Sequence, residues 1–122
     1  MKLKLIIWIA SSKEDLLGFP KDIQSSMGYG LYLAQKGEKH LHCKVLKGFT
    51  GASVLEIRES NNSGTFRVVY VTKFSNIIFV LHAFQKKSKQ GIKTPKQEID
   101  LIKKRLKDAQ EIYEELKNEK KF

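Results

Sequence analysis

The run Ile77-Ile78-Phe79-Val80-Leu81-His82-Ala83-Phe84 is apolar at every position but one. A strand with one wet face alternates apolar and polar residues, so an unbroken run of this length reads as a central strand covered on both faces. The chain must therefore build a sheet with an interior strand and apolar material above and below it. Two shorter runs precede it, Ser53–Glu59 and Thr65–Thr72, separated by the turn signal Asn61-Asn62-Ser63-Gly64 and followed by a break at Ser75-Asn76. Together the three predict an antiparallel meander.

Residues 2–10, KLKLIIWIA, have the β-branched and aromatic content of another strand. Lys2 and Lys4 before the run Leu5–Ala10 imitate a signal peptide, but the run is shorter than the roughly 7–15 residues of such a core. Ser11-Ser12 with Glu14 and Asp15 then supplies a helix start, and Gly18 and Pro20 end that short helix. Pro20 opens a second helix reaching about Gly37, with Ile23, Met27, Leu31 and Ala34 spaced four, four and three apart on one face. Gly28 and Gly30 inside it each cost about 1 kcal/mol relative to alanine, a cost that close packing on a sheet can offset.

A long helix closes the chain. Thr94-Pro95-Lys96-Gln97 puts Thr at the N-cap, Pro at the first helical position and Gln where a capping box wants it. Ile99, Ile102, Leu106, Ala109, Tyr113 and Leu116 form its apolar stripe, and residues 117–122 read as a frayed tail. The expected architecture is a single α+β domain over residues 1–122, with two N-terminal helices and a long C-terminal helix on one sheet face. No stretch approaches the roughly 20 apolar residues of a membrane span.

The formal net charge is +10. It divides as +2 over residues 1–41, +7 over 42–93 and +1 over 94–122, so the excess sits on and around the meander. The nearly balanced last segment looks like a solvated helix face, whereas the middle one suits a polyanion, because neutralising phosphates releases counterions. Cys43, the single cysteine, excludes an internal disulfide and fits a reducing compartment as a small hydrophobe. Phosphate-binding loops, dinucleotide fingerprints and paired-cysteine zinc motifs are absent. His40 and His42 stand beside Cys43, but no further ligand lies at a familiar spacing, so neither a metal nor another cofactor is expected.

What remains is cationic: Lys44, Lys47, Arg58, Arg67, Lys73, Lys86, Lys87, Lys89 and Lys93. Arg58 ends one strand run and Arg67 lies within the next, where a guanidinium needs solvent, an acid such as Glu56 or Glu59, or a phosphate. The stretch from Phe84 to Gly91 carries three lysines out of the central strand into the loop before the last helix, where sites are commonly mounted. His82 precedes it in apolar company, which suits either a satisfied core imidazole or a proton carrier. Cleavage of RNA by its own 2′-hydroxyl needs a base, cations for the charge on the phosphorane, and an acid for the departing oxygen. Arg and Lys meet the second need without a metal.

The succession Leu46-Lys47-Gly48, Leu55-Glu56-Ile57-Arg58, Phe66-Arg67-Val68-Val69-Tyr70, Leu81-His82-Ala83-Phe84-Gln85-Lys86-Lys87 and Lys93-Thr94-Pro95 resembles the phage-associated HigB-like branch of the RelE/ParE toxin superfamily. The likeness runs from about residue 3 to 115. It implies a small RelE-like domain with a curved antiparallel sheet and flanking helices. It also implies a cytoplasmic type II toxin, an mRNA endoribonuclease that enters the ribosomal A site and is held inactive by a helix-turn-helix, HigA-like antitoxin. Arg67 falls on the arginine of the family's Tyr-Arg-x-x-Tyr strand, with Phe66 in place of the first tyrosine. By this resemblance Arg67 and Arg58 stabilise phosphate, Lys87 and Lys86 contact substrate or leaving group, and His82 is an acid/base candidate. Lys47, Lys73, Lys89 and Lys93 complete the RNA-binding set. The segment Lys89-Gln90-Gly91-Ile92 lacks the tyrosine that RelE carries for stacking on RNA, which leaves Phe84 as the stacking candidate. Two other readings remain: a ParE-like gyrase inhibitor on the same scaffold, and a basic nucleic-acid-binding protein without catalysis.

Overall fold

A computed structural model describes residues 2–51, 53–86 and 94–119. The elements follow in the order β1 (Leu5–Trp8), α1 (Ser12–Leu17), α2 (Lys21–Gln35), β2 (Cys43–Val45), β3 (Val54–Asn61), β4 (Gly64–Val71), β5 (Ile77–Lys86) and α3 (Lys96–Asn118). They make an α+β fold around one sheet of strand order β1-β5-β4-β3-β2. The expected meander is β3-β4-β5, and the apolar run Ile77–Phe84 is its last strand, made interior to the sheet by β1 on its other edge.

Two features depart from the expected sheet. β1 pairs with β5 in parallel, from Leu5 opposite Ile77 to Trp8 opposite Val80, so the sheet is mixed rather than wholly antiparallel. The chain between them, with both N-terminal helices, serves as the crossover that a parallel pair requires. β2, which no alternating pattern announces, adds three residues to the outer edge of β3, with Cys43 opposite Ile57 and Val45 opposite Leu55.

The helices do not share one sheet face. Leu16, Phe19, Ile23, Met27, Leu31 and Ala34 of the N-terminal helical region pack with Leu55, Ile57, Phe66, Val68, Tyr70, Ile78 and Val80. Ile102 and Ala109 of α3 pack on the other side with Val54, Val69, Val71, Ile77, Phe79, Leu81 and Phe84. A strand apolar at both parities forces this, since one helical layer would leave the other row of β5 in water. Burying Ile102 alone contributes about 1.5–3 kcal/mol.

Gly30 has the close-packing role open to it, because a Cβ there would stand 2.6 Å from Ile57 Cδ1. Gly28 has open space instead. The start of α3 also differs from expectation: Pro95 occupies the N-cap with no side-chain cap bond, so the Thr94–Gln97 capping box does not form. Thr94 points its hydroxyl at the sheet. No helix among the described residues is long and apolar enough to cross a membrane.

Candidate functional site

Residues directly opposite in a ladder share a face, and register therefore decides which side chains meet. Arg67 of β4 lies opposite Arg58 of β3 and opposite Phe84 of β5. Val69, two residues on, lies opposite Glu56 and His82, and Thr65, two residues back, lies opposite Lys86. Glu56, Arg58, Arg67, His82, Phe84 and Lys86 thus share the sheet face covered by α3.

That grouping depends on an irregularity in β5. Tyr70 pairs with Val80 but Val69 pairs with His82, which leaves Leu81 as an extra residue. Before it the odd positions Ile77, Phe79 and Leu81 face α3; after it Phe84 does, while Ala83 joins the α2 side. The bulge moves His82, Phe84 and Lys86 onto the face of the arginines.

Arg67 is 1% exposed and is held in a closed triangle. Its Nη1 donates to Glu56 Oε1 at 2.9 Å and to Thr94 Oγ1 at 3.1 Å, and Thr94 Oγ1 donates to Glu56 Oε2 at 3.0 Å. Among the described residues the in-strand arginine takes up the pairing with Glu56. Arg58 is half-buried. The Lys86 ammonium is pushed below its ordinary value by burial, and further by Arg67 and Arg58, with Glu56 pulling the other way. Among the described residues three cations thus crowd one carboxylate, which favours an incoming anion.

Beside the triangle opens a cleft of about 580 Å³. Val45, Leu46 and Ile99 give it apolar walls, while Lys44, Lys47, Arg58 and Lys96 supply charge around Glu56 and Thr94. Arg58 and Lys47 of the expected set thus meet at one opening, joined by Lys96.

His82 and Phe84 sit under α3 rather than on this cleft. Arg105 Nη1 donates to His82 Nδ1 at 3.2 Å, which leaves the proton on Nε2 to donate to Glu98 Oε2 at 2.9 Å. Burial pushes the imidazole below its ordinary value; Glu98 opposes this and Arg105 adds to it. Arg105 also donates to the Leu81 carbonyl and to Ser11, so the His82 network ties β5 to α3 and to the start of α1. The Phe84 ring is buried and stacks on His82 with centroids 4.7 Å apart. Lys73 is exposed beyond the far end of β4, over the Phe74 ring. Lys87, Lys89 and Lys93 lie outside the described residues.

Glu56, legible beforehand only as a possible ion-pair partner of the arginines, joins Thr94, Lys96, Glu98 and Arg105 as residues that the sequence did not assign to the site. Glu98 and Arg105 could have been found: they stand four before and three after Ile102, on the buried side of α3, where charge is expected only with a partner.

Residues 14–107 match the family described as phage derived protein Gp49-like. The chain belongs to this family. Gp49-like membership covers the whole stretch from α1 to the middle of α3, and so includes every described residue of the triangle and the cleft. No curated protein matches the chain. Among solved structures, a chain of the toxin–antitoxin complex RelBE2 from Mycobacterium tuberculosis is similar at a TM-score of 0.48 and 16% identity, over 72% of this chain and 97% of that one.

Proposed function

We propose that this Gp49-like protein is the toxin of a toxin–antitoxin pair and cuts messenger RNA on the ribosome, in the cytoplasm, without a metal. The observation that carries the reading is the convergence of Arg58, Arg67 and Lys86 around Glu56 beside a basic cleft. The sequence resemblance to HigB-like toxins supplies the ribosome and a HigA-like antitoxin as partners.

Glu56 takes the proton of the ribose 2′-hydroxyl, and that oxygen attacks phosphorus as the bond to the 5′-oxygen breaks. The products are a 2′,3′-cyclic phosphate and a free 5′-hydroxyl. Arg67 and Thr94 hold both carboxylate oxygens in place, and each oxygen keeps a further lone pair for the incoming proton. Arg58 and Lys86 balance the charge that grows on the phosphorane. Lys86, its acidity raised by burial and by two guanidiniums, returns a proton to the leaving oxygen. His82 orders α3 beneath the site rather than moving protons at it.

Cleavage mapping of a defined mRNA, on translating ribosomes and as naked RNA, tests the proposal. Arg58→Ala should lower the cutting rate by about 10²–10³-fold with the fold intact. Lys104→Gln, an exposed change on α3 where Lys104 meets Asp108, should leave it unaltered. Absence of cuts by the unaltered protein on either RNA would overturn the ribonuclease reading.

A further inference from the structure

A second cluster lies at the β2 edge. The segment between α2 and β2 delivers His40 and His42, and β3 delivers Glu59, whose partner Phe66 places it on the α2 side of the sheet. One ligand atom from each of the three lies within 4.8 Å of the others. Glu59 is the partner that sequence spacing could not show, since it stands 17 residues beyond His42.

We propose that His40, His42 and Glu59 form a binding site for a divalent transition-metal ion, with Zn²⁺ the ion they suit best. Two imidazoles and a carboxylate match the borderline character of Zn²⁺, whereas Mg²⁺ and Ca²⁺ demand mostly oxygen ligands. Bonds of about 2.0–2.2 Å at tetrahedral angles set ligand atoms roughly 3.3–3.6 Å apart, so side-chain rotation brings the widest pair in by up to about 1.5 Å and opens the His42–Glu59 contact to admit the ion. A fourth tetrahedral position is left for water.

The surroundings support the ligands. Ser26 donates to Glu59 Oε2 and His42 Nδ1 meets Oε1, so the carboxylate is oriented from α2 as well as from the β2 edge. His40 Nδ1 accepts the backbone N–H of His42 at 3.0 Å, which puts the proton of the neutral ring on Nε2. Metal binding at Nε2 shifts that proton to Nδ1 and turns the His42 amide aside, exchanging one hydrogen bond for a metal bond. Cys43 stays out of the set, with its Sγ 3.2 Å from the Tyr70 hydroxyl.

The site meets the cleft at His42, which also lines it. The Arg58 N–H donates to the His42 carbonyl at 3.2 Å, and Glu59 is the next residue of β3. An ion held by His42 and Glu59 therefore grips the backbone on both sides of Arg58 and stiffens the rim of the cleft.

Calorimetric titration of the metal-stripped full chain with Zn²⁺ tests the site independently of RNA cleavage. One ion per chain is expected, with Co²⁺ giving the visible bands of tetrahedral coordination and the rings of His40 and His42, but not His82, shifting by NMR. His42→Ala and Glu59→Gln should each weaken binding by at least about tenfold, and Ser26→Ala by about 10–100-fold. Circular dichroism establishes that the variants are folded. No binding by the unaltered protein, or equal binding by folded Glu59→Gln, would overturn the proposal.

Discussion

Replacing Arg67 by methionine keeps the length and apolar stem of the side chain while removing the guanidinium opposite Glu56. Arg67 is 1% exposed and Glu56, at 8%, meets solvent only where it edges the cleft, so water can take over little of the lost partner. Breaking a buried ion pair from one side costs about 3–5 kcal/mol, mostly from the charge left behind. Thr94 still donates to Glu56 Oε2, which places the expected loss near the lower end, about 3 kcal/mol. With a urea slope of about 1.5 kcal/mol/M, the midpoint should fall by about 2 M. Glu56→Leu should cost a similar amount by taking the carboxylate from the buried Arg67 guanidinium. The double variant Glu56→Leu/Arg67→Met removes both charges and fills the space with apolar atoms, so it should return to within about 1–2 kcal/mol of the original. Urea unfolding of all four proteins, followed by circular dichroism, measures the coupling. A loss below about 1 kcal/mol in Arg67→Met, or single effects that simply add, would refute the view that the triangle is a buried, mutually dependent unit.

Gly28→Ala should stabilise the protein by up to about 1 kcal/mol, because the new methyl meets open space in a helix interior. Gly30→Ala should destabilise it by about 1–3 kcal/mol through contact with Ile57, and thermal melts of the two variants moving the same way would contradict the packing of α2 on β3. His82 faces Glu98 and Arg105 of α3, with Asp15 of α1 nearby, and its folded pKa lies below its unfolded value near 6.5. The unfolded chain then binds the extra proton first, so the contribution of His82 is complete above about pH 6.5 and is lost as the pH falls towards the folded value. Urea midpoints between pH 7.5 and 5.5 should therefore fall further for the unaltered protein than for His82→Leu; equal falls would show that His82 does not titrate differently on folding.

The parts of the fold visible in the sequence are those with strong periodicity or punctuation. The stripe Ile23-Met27-Leu31-Ala34, the turn Asn61–Gly64 and the run Ile77–Phe84 each specify their element almost alone. β2 was hidden because three residues carry no period; Cys43–Val45 is a strand only because β3 offers its edge. The layering was legible in principle, since both parities of β5 are apolar, yet nothing in the chain says which helix goes to which side. Thr94 looked like a cap because Thr-Pro is a strong helix-start signal, and the buried pair of Arg67 and Glu56 outbid the helix for its hydroxyl. Arg58 and Arg67 were visible as unusual strand residues, whereas their direct opposition needed the register.

The extra residue Leu81 divides β5 into two halves that run out of phase. Counting from Ile77, odd positions serve the α3 core up to Leu81, and even positions serve the arginine site from His82 onward. The same strand at the same length, paired without the bulge, would set Leu81 opposite Val69, send His82 and Lys86 into the oil beneath α2 and lift Ala83 to the charged side. The slip in pairing between Phe79 and Lys86 is therefore as much a part of the site as the residues themselves, and an alternating count along this strand alone would put its charged letters on the wrong side.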